Sequence, residues 1–172
     1  RGAEKKLAGL PDPDTIRKEM ADFILRHKAK PVDLQRTMAE RVGAKFFSDA
    51  EAAVRDSDIV ACTTAAREPI LHGAWLKPGA FVTAVGWNTP SGRELDDAAM
   101  ANIVIVESVA AARDQAGNVR GSNCAIFAEA GEIFAGQKAV PEGATVIYDS
   151  VGIAIMDVAA AKLVYDLWLS GE

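Results

Sequence analysis

The sequence predicts an α/β protein built on a parallel sheet covered by helices. Short, β-branched apolar runs (Ile59–Thr63, Phe81–Val85, Ile103–Val106 and Thr145–Tyr148) alternate with helix-periodic segments from residue 44 onward. That alternation is the pattern of right-handed β–α–β crossovers. Of the 172 residues, 49% are hydrophobic and 25% charged, which suits one domain with a real core.

The segment before residue 33 carries less of this pattern. Residues 1–13 are polar and punctuated by Gly9, Pro11 and Pro13. Asp12 and Pro13 start a helix over Thr15–His27 that places Ile16, Met20, Phe23, Ile24 and His27 at helical spacing, and Pro31 ends it. Asp33 is expected to cap a second helix that Gly43 closes. Ala44–Phe47 is a short strand candidate. Ser48 and Glu51 have the spacing of a capping box opening a helix to Arg55.

The remaining elements follow in order. Ile59–Thr63 is an apolar run suited to a strand buried on both faces. His72 to Leu76 makes a helical turn, and Pro78-Gly79 resets the chain for Phe81–Val85. Asp96 or Asp97 caps a short helix over Ala98–Ala101. Glu107–Ala116 reads as helix, Gly117–Gly121 as loop and Ala125–Phe134 as helix. The last helix, from about Ile153 to Leu169, repeats Ile155, Val158, Ala159, Leu163 and Leu167 at helical intervals, so it is expected to pack on something.

Charge and composition exclude several function classes. A net charge of −5 argues against nucleic acid or an anionic membrane as partner. Basic residues near the N-terminus are interleaved with acids and read as a solvated helix face. Cys62 and Cys124 are far apart and His27 and His72 isolated, so neither a disulfide framework nor a metal site is expected; a reducing cytoplasm is the default. No apolar run reaches the ~18 residues of a membrane span. The N-terminus shows neither an initiator Met nor a signal peptide, and the chain is expected to be a piece of something longer.

Three strand ends carry polar groups: Thr63-Thr64, Gly86-Trp87-Asn88, and Asp149 through Gly152. In a parallel sheet these ends share one edge and can converge on a ligand. Hydroxyls and free backbone N–H groups there suit ribose and phosphate, and Gly86 and Gly152 would let backbone approach a flat ring. Read singly, Asn88 is also a turn former and Ser150 also an N-cap. The chain contains no G-x-G-x-x-G, no P-loop, no G-x-S-x-G and no H-E-x-x-H.

Four linked motifs resemble the ornithine cyclodeaminase/mu-crystallin family. They are Asp58–Leu71 (DIVACTTAAREPIL); Trp75–Ala80 with Ala84-Val85-Gly86 and Arg93–Asp96; Ala128–Glu132 with Gly136; and Asp149–Gly152 continuing through Asp157 to Tyr165. The resemblance runs from about Asp33 to Leu167 and leaves 1–32 as an unmatched lead-in and helix. It implies that 33–172 is a partial dinucleotide-binding domain, an incomplete Rossmann-like parallel sheet with a long C-terminal helix. It further implies an NAD- or NADP-dependent enzyme of small amino or imino acids, homodimeric at full length. Thr63, Thr64, Ala84, Val85, Gly86, Trp87 and Ser150 would lie against the cofactor, and Val151 would face the substrate. Asn88 stands where ornithine cyclodeaminases carry a catalytic Asp, and Gly92 where they carry a cofactor-contacting Lys. An amide cannot act as a general base at neutral pH, which favours imine reduction over ornithine deamination. Without a pyrophosphate turn, the isolated chain is expected to bind NAD(P) weakly or not at all and to be inactive. The alternative is a truncated homologue serving as a binding or oligomerisation module.

Overall fold

In the computed structural model, which describes residues 31–86 and 91–171, the chain divides into two compact units, one ending at Ser48 and the other running from Asp49. The expected helix over Thr15–His27 lies outside the described residues.

In the first unit, α1 spans Pro31–Arg41. It starts at the proline itself, whose fixed φ suits the first helical position. Asp33 is therefore inside the helix and not its cap. Gly43, at φ 67°, closes it as expected. Residues 44–47 form no strand; the Arg36 and Lys45 cations sit over the Phe46 and Phe47 rings at 4.8 and 4.5 Å.

The second unit holds the sheet. Helix α2 (Ala50–Val54) is capped by Asp49, whose carboxylate accepts from the Ala52 amide at 3.0 Å. The acid displaces Ser48 from the role its spacing suggested. Strand β1 (Ile59–Cys62) leads through a 3₁₀ turn (Gly73–Trp75) to β2 (Phe81–Ala84). Next come α3 (Asp97–Met100), β3 (Ile103–Val106), α4 (Val109–Gln115) and α5 (Gly117–Ser122). The chain ends with β4 (Ile126–Glu129), α6 (Ala130–Phe134), β5 (Val146–Asp149) and α7 (Ala154–Ser170).

Two segments of this unit differ from the expected secondary structure. Gly117–Gly121 is helical, not loop, because Asn118 and Val119 are buried and Asn123 at φ 51° ends the turn. Ala125–Phe134 is not one helix. Ile126–Glu129 pairs with β3, and Glu129 then opens α6 with a capping box to Glu132. Sheet pairing overrides the local helical period.

All pairings are parallel, in the order β1-β2-β5-β3-β4. The last strand therefore enters between β2 and β3. The core sits on one face. Val82, Ala84, Val104, Val106 and Ile147 pack there against Leu71, Leu95, Met100, Ala112 and Val119. Among the described residues the opposite face is only partly covered: Phe81, Ile105, Val146 and Tyr148 line an apolar hollow with Ile133 and Phe134 from α6 and Met156 from α7. Ile59 is 70% exposed, so β1 is not buried on both faces as its apolar run suggested. Helix α7 has no buried residue, and its Ile155, Val158 and Leu163 are at least 60% exposed. Among the described residues the packing expected of that helix is confined to its first turn, where Met156 borders the hollow.

Two glycines mark opposite demands. A Cβ on Gly73 would lie 2.3 Å from the Ala99 nitrogen at the start of α3, whereas one on Gly131 in α6 would meet nothing within 4 Å. Gly73→Ala should lower unfolding free energy by about 2–3 kcal/mol through overpacking. Gly131→Ala should raise it by about 0.5–1 kcal/mol through helix propensity and unfolded-chain entropy. Chemical denaturation of both variants checks the contrast; equal effects would contradict the packing described for Gly73.

Candidate functional site

Strand register builds one edge. Cys62 pairs with Ala84, Ala84 with Asp149, and Asp149 with Val106. The next residues, Thr63, Val85, Ser150 and Glu107, therefore leave the sheet side by side. At ~4.8 Å per strand, Thr63 and Ser150 stand about 10 Å apart along that edge. The ladder is extended by Val85 donating to the Cys62 carbonyl and Ser150 to the Ala84 carbonyl, both at 2.9 Å. Of the residues expected to form a site, the structure thus brings together Thr63, Thr64, Ala84, Val85, Gly86, Ser150 and Val151. Trp87 and Asn88 lie outside the described residues.

Supporting this edge is a polar system, buried at Glu94, Asn118 and Asp149 and half-buried at Glu107, that local sequence patterns do not reveal. The Glu94 carboxylate, 1% exposed, accepts from the Thr64 amide at 2.6 Å, the Thr64 hydroxyl at 2.7 Å and the Gly86 amide at 3.0 Å. It ties the loops after β1 and β2 together. Asn118, at the start of α5, accepts from the Glu94 and Leu95 amides at 2.9 and 3.0 Å and donates to Asp149 at 3.0 Å. A second carboxylate, Glu107 after β3, accepts from the Ser150 hydroxyl and from the amides of Val151 at 3.3 Å and Gly152 at 3.2 Å.

These contacts correct one expectation. The Thr64 and Ser150 hydroxyls and the amides of Thr64, Gly86, Val151 and Gly152 do not stand free for phosphate; Glu94 and Glu107 accept from all six. Thr63 is exposed, and its hydroxyl has no partner among the described residues. Gly86 is required for a protein contact. A Cβ there would lie 2.2 Å from the Thr64 carbonyl oxygen and 2.4 Å from the Glu94 carboxylate. Gly152 is different: at φ 73°, with nothing near its Cβ position, it serves the turn itself.

The electrostatics follow from three neighbouring acids. Burial pushes Asp149 up to about 6; the Asn118 hydrogen bond opposes this, while Glu107 and Glu94 add to it. Its Oδ2 is buried without a partner among the described residues. Burial, then the Glu94 charge, pushes the Cys62 thiol up to about 12, and burial foremost raises Cys124. Neither is set up as a nucleophile. Further along, burial works to raise Asp96, but hydrogen bonds from Gly73, Ala99 and His72 together hold it below the usual carboxylate range. Asp96 caps α3 as expected, through the Ala99 amide at 2.8 Å.

Glu94, Glu107 and Asn118 were not singled out by sequence reasoning. Glu94 lies within the Arg93–Asp96 motif, which was its one local signal; its partners are up to 30 residues away.

Asp149 makes a pH prediction. Its folded value, about 6, exceeds its ordinary 3.8, so the folded state holds the proton more tightly. That stabilisation is complete below about pH 4 and lost as pH rises through about 6, by roughly 2–3 kcal/mol at most. Asp149→Asn lacks this loss. The Tm of the variant minus that of the unsubstituted chain should therefore rise between pH 4 and 7. Parallel Tm curves would contradict a buried carboxyl with a raised pKa.

The ornithine cyclodeaminase/mu-crystallin family model matches residues 26–172. Ketimine reductase mu-crystallin of Macropus fuliginosus is 45% identical over 129 residues, covering 74% of this chain and 41% of the relative. The chain thus spans about two fifths of the length of that curated relative. The Thermococcus litoralis Delta(1)-pyrroline-2-carboxylate reductase, solved with NADH and L-proline, superimposes with a TM-score of 0.70 at 28% identity, over 83% of this chain and 49% of that one. An archaeal alanine dehydrogenase dimer with bound NAD gives 0.67 at 30% identity, over 78% and 45%. Its parallel sheet is thus shared with Rossmann-like, NAD-binding relatives, and the chain belongs to the ornithine cyclodeaminase/mu-crystallin family.

Proposed function

We propose that this chain is the cofactor-binding portion of an NAD(P)-dependent reductase of small cyclic or ketimine-type imino acids. The observation that carries the reading is the 45% identity to a ketimine reductase over 129 residues. The reductase solved with NADH and L-proline supports the same class.

The described edge suits the nicotinamide end of such a cofactor better than its pyrophosphate. Its hydroxyls at Thr64 and Ser150 face carboxylates, and the amides that would grip phosphate already have acceptors. When bound, the reduced nicotinamide supplies the hydride. The chain's own part is to hold and orient. Thr63, Thr64, Ala84, Val85, Gly86, Trp87 and Ser150 would bound the cofactor, and Val151 would meet the substrate. Asn88 would orient an amine or carboxamide by hydrogen bonds; as an amide it holds no proton to exchange at neutral pH. Three acids at the floor, Glu94, Glu107 and Asp149, favour a positively charged imine over a neutral carbonyl.

Alone, this chain would bind NAD(P)H weakly or not at all. We place the protein in the cytoplasm, in line with its two free cysteines, and as a homodimer, in line with the alanine dehydrogenase dimer. A second reading, a non-catalytic oligomerisation module, is favoured by the exposed apolar side chains of α7.

A thermal-shift screen of the full-length natural protein with NAD(H), NADP(H) and amino and imino acids tests the function. A nicotinamide cofactor at 100 times its Kd should stabilise by about 2.7 kcal/mol. No shift with any nicotinamide would contradict the enzyme reading and favour the module. Asn88→Asp should raise lyase relative to reductase turnover; an unchanged ratio would remove Asn88 from the chemistry.

A further inference from the structure

We propose that Glu107 is a positioning residue that fixes Ser150 as a hydrogen-bond acceptor, so that the ligand group meeting the Ser150–Gly152 turn is an N–H donor and not a phosphate or carboxylate. This rests on the reductase reading above.

A serine hydroxyl has one proton and two lone pairs. Ser150 donates its proton to Glu107, so its lone pairs are what remain for a ligand and for the neighbouring Tyr148 hydroxyl. The two amides beside it, Val151 and Gly152, also donate to Glu107, at 3.3 and 3.2 Å. The turn precedes the 17-residue helix α7, whose N-terminus would otherwise attract an anion. Glu107 already supplies that negative charge. A second anion there would meet Glu107 and, on the adjoining strand end, Asp149.

Thr64 repeats the arrangement on the other side of β2. Its hydroxyl donates to Glu94 at 2.7 Å and accepts from the Ala66 amide at 3.3 Å. Two hydroxyls on one edge, each turned toward a carboxylate, make a surface that receives hydrogen bonds and repels anions.

Two ligand groups of this protein class carry such an N–H: the carboxamide of a nicotinamide and the protonated nitrogen of an imino or amino acid. Paired probes separate them. The first pair is NADH and its 3-acetylpyridine analogue, which replaces the carboxamide NH₂ by a methyl group. The second is proline and tetrahydrofuran-2-carboxylate, which replaces the ring nitrogen by oxygen.

The experiment measures the affinities of all four probes for the full-length natural protein, by fluorescence or calorimetric titration, with Glu107→Ala and Glu107→Gln alongside. One pair should show a preference for the N–H probe of about five- to tenfold, the worth of one hydrogen bond. Which pair shows it identifies the group. Glu107→Ala should bring that ratio toward one, because the released hydroxyl can turn and donate to the acetyl or ether oxygen. Glu107→Gln, whose amide oxygen still accepts from Ser150, should retain most of it in the nicotinamide pair, whose members carry equal charge, and lose only the share owed to the Glu107 charge in the proline pair.

A merely structural role for Glu107 would weaken both members of a pair alike and leave the ratio unmoved, which would overturn the proposal. A ratio near one for both pairs in the unsubstituted protein would also overturn it. No binding by either dinucleotide would contradict the reductase reading itself, and this assignment with it. Hydrogen exchange on this chain supplies a readout that needs no ligand. Glu107→Ala should speed exchange at the Val151 and Gly152 amides; unchanged exchange would contradict the contact on which the proposal stands.

Discussion

The carboxylate of Glu94 is the contact on which the candidate site depends. A parallel sheet leaves the loops at its carboxyl edge without ladder partners, and each brings amides that need acceptors. Glu94 supplies one acceptor to two loops. It takes the Thr64 amide, the Thr64 hydroxyl and the Gly86 amide within 3.0 Å, while buried to 1% exposure. No cationic side chain among the described residues pairs with it. A buried carboxylate without a cation is tolerable when several donors converge on it. The close fit explains Gly86, since any side chain there would strike Thr64 or Glu94 itself.

From Glu94 the order passes across the sheet. Its own amide and that of Leu95 are held by Asn118, which also holds Asp149 at the end of the inserted strand β5. The loops after β1 and β2 and the end of β5 are thereby linked through side chains drawn from two other segments. Glu107 serves the turn after β5 in the same manner. The result is an edge whose geometry is set from below by acids. Such a floor is better matched to nitrogen-bearing, positively charged groups than to phosphate. This supports the proposed role at the nicotinamide and substrate end of a reductase.

The sheet was legible because its strands are short, β-branched runs with turn residues on either side, and β1, β2, β3 and β5 lie within a residue of where Ile59–Thr63, Phe81–Val85, Ile103–Val106 and Thr145–Tyr148 place them. Strand β4 was not, since Ile126 and Phe127 fit either period, and only pairing with Val104 decides between them. The helix at Gly117 was hidden behind two glycines and an asparagine, and depends on burial of Asn118 and Val119. The candidate edge could be drawn from strand ends alone. Its supporting residues could not, because Glu94 meets Thr64 across 30 residues and Asn118 meets Asp149 across 31. Contacts of that range leave no periodicity in the chain. The four family motifs drew attention to Glu94 and Asp149 without stating what either holds.

Amide hydrogen exchange on Glu94→Gln shows whether this carboxylate holds the two loops. Glutamine keeps the shape but replaces one acceptor oxygen by an NH₂ group, which would face the donors of Thr64 or Gly86. Exchange at both the Thr64 and Gly86 amides should then rise together, with a loss of about 2–4 kcal/mol in unfolding free energy. Unchanged exchange at the two amides, with stability preserved, would show that the loops are held by something other than this carboxylate.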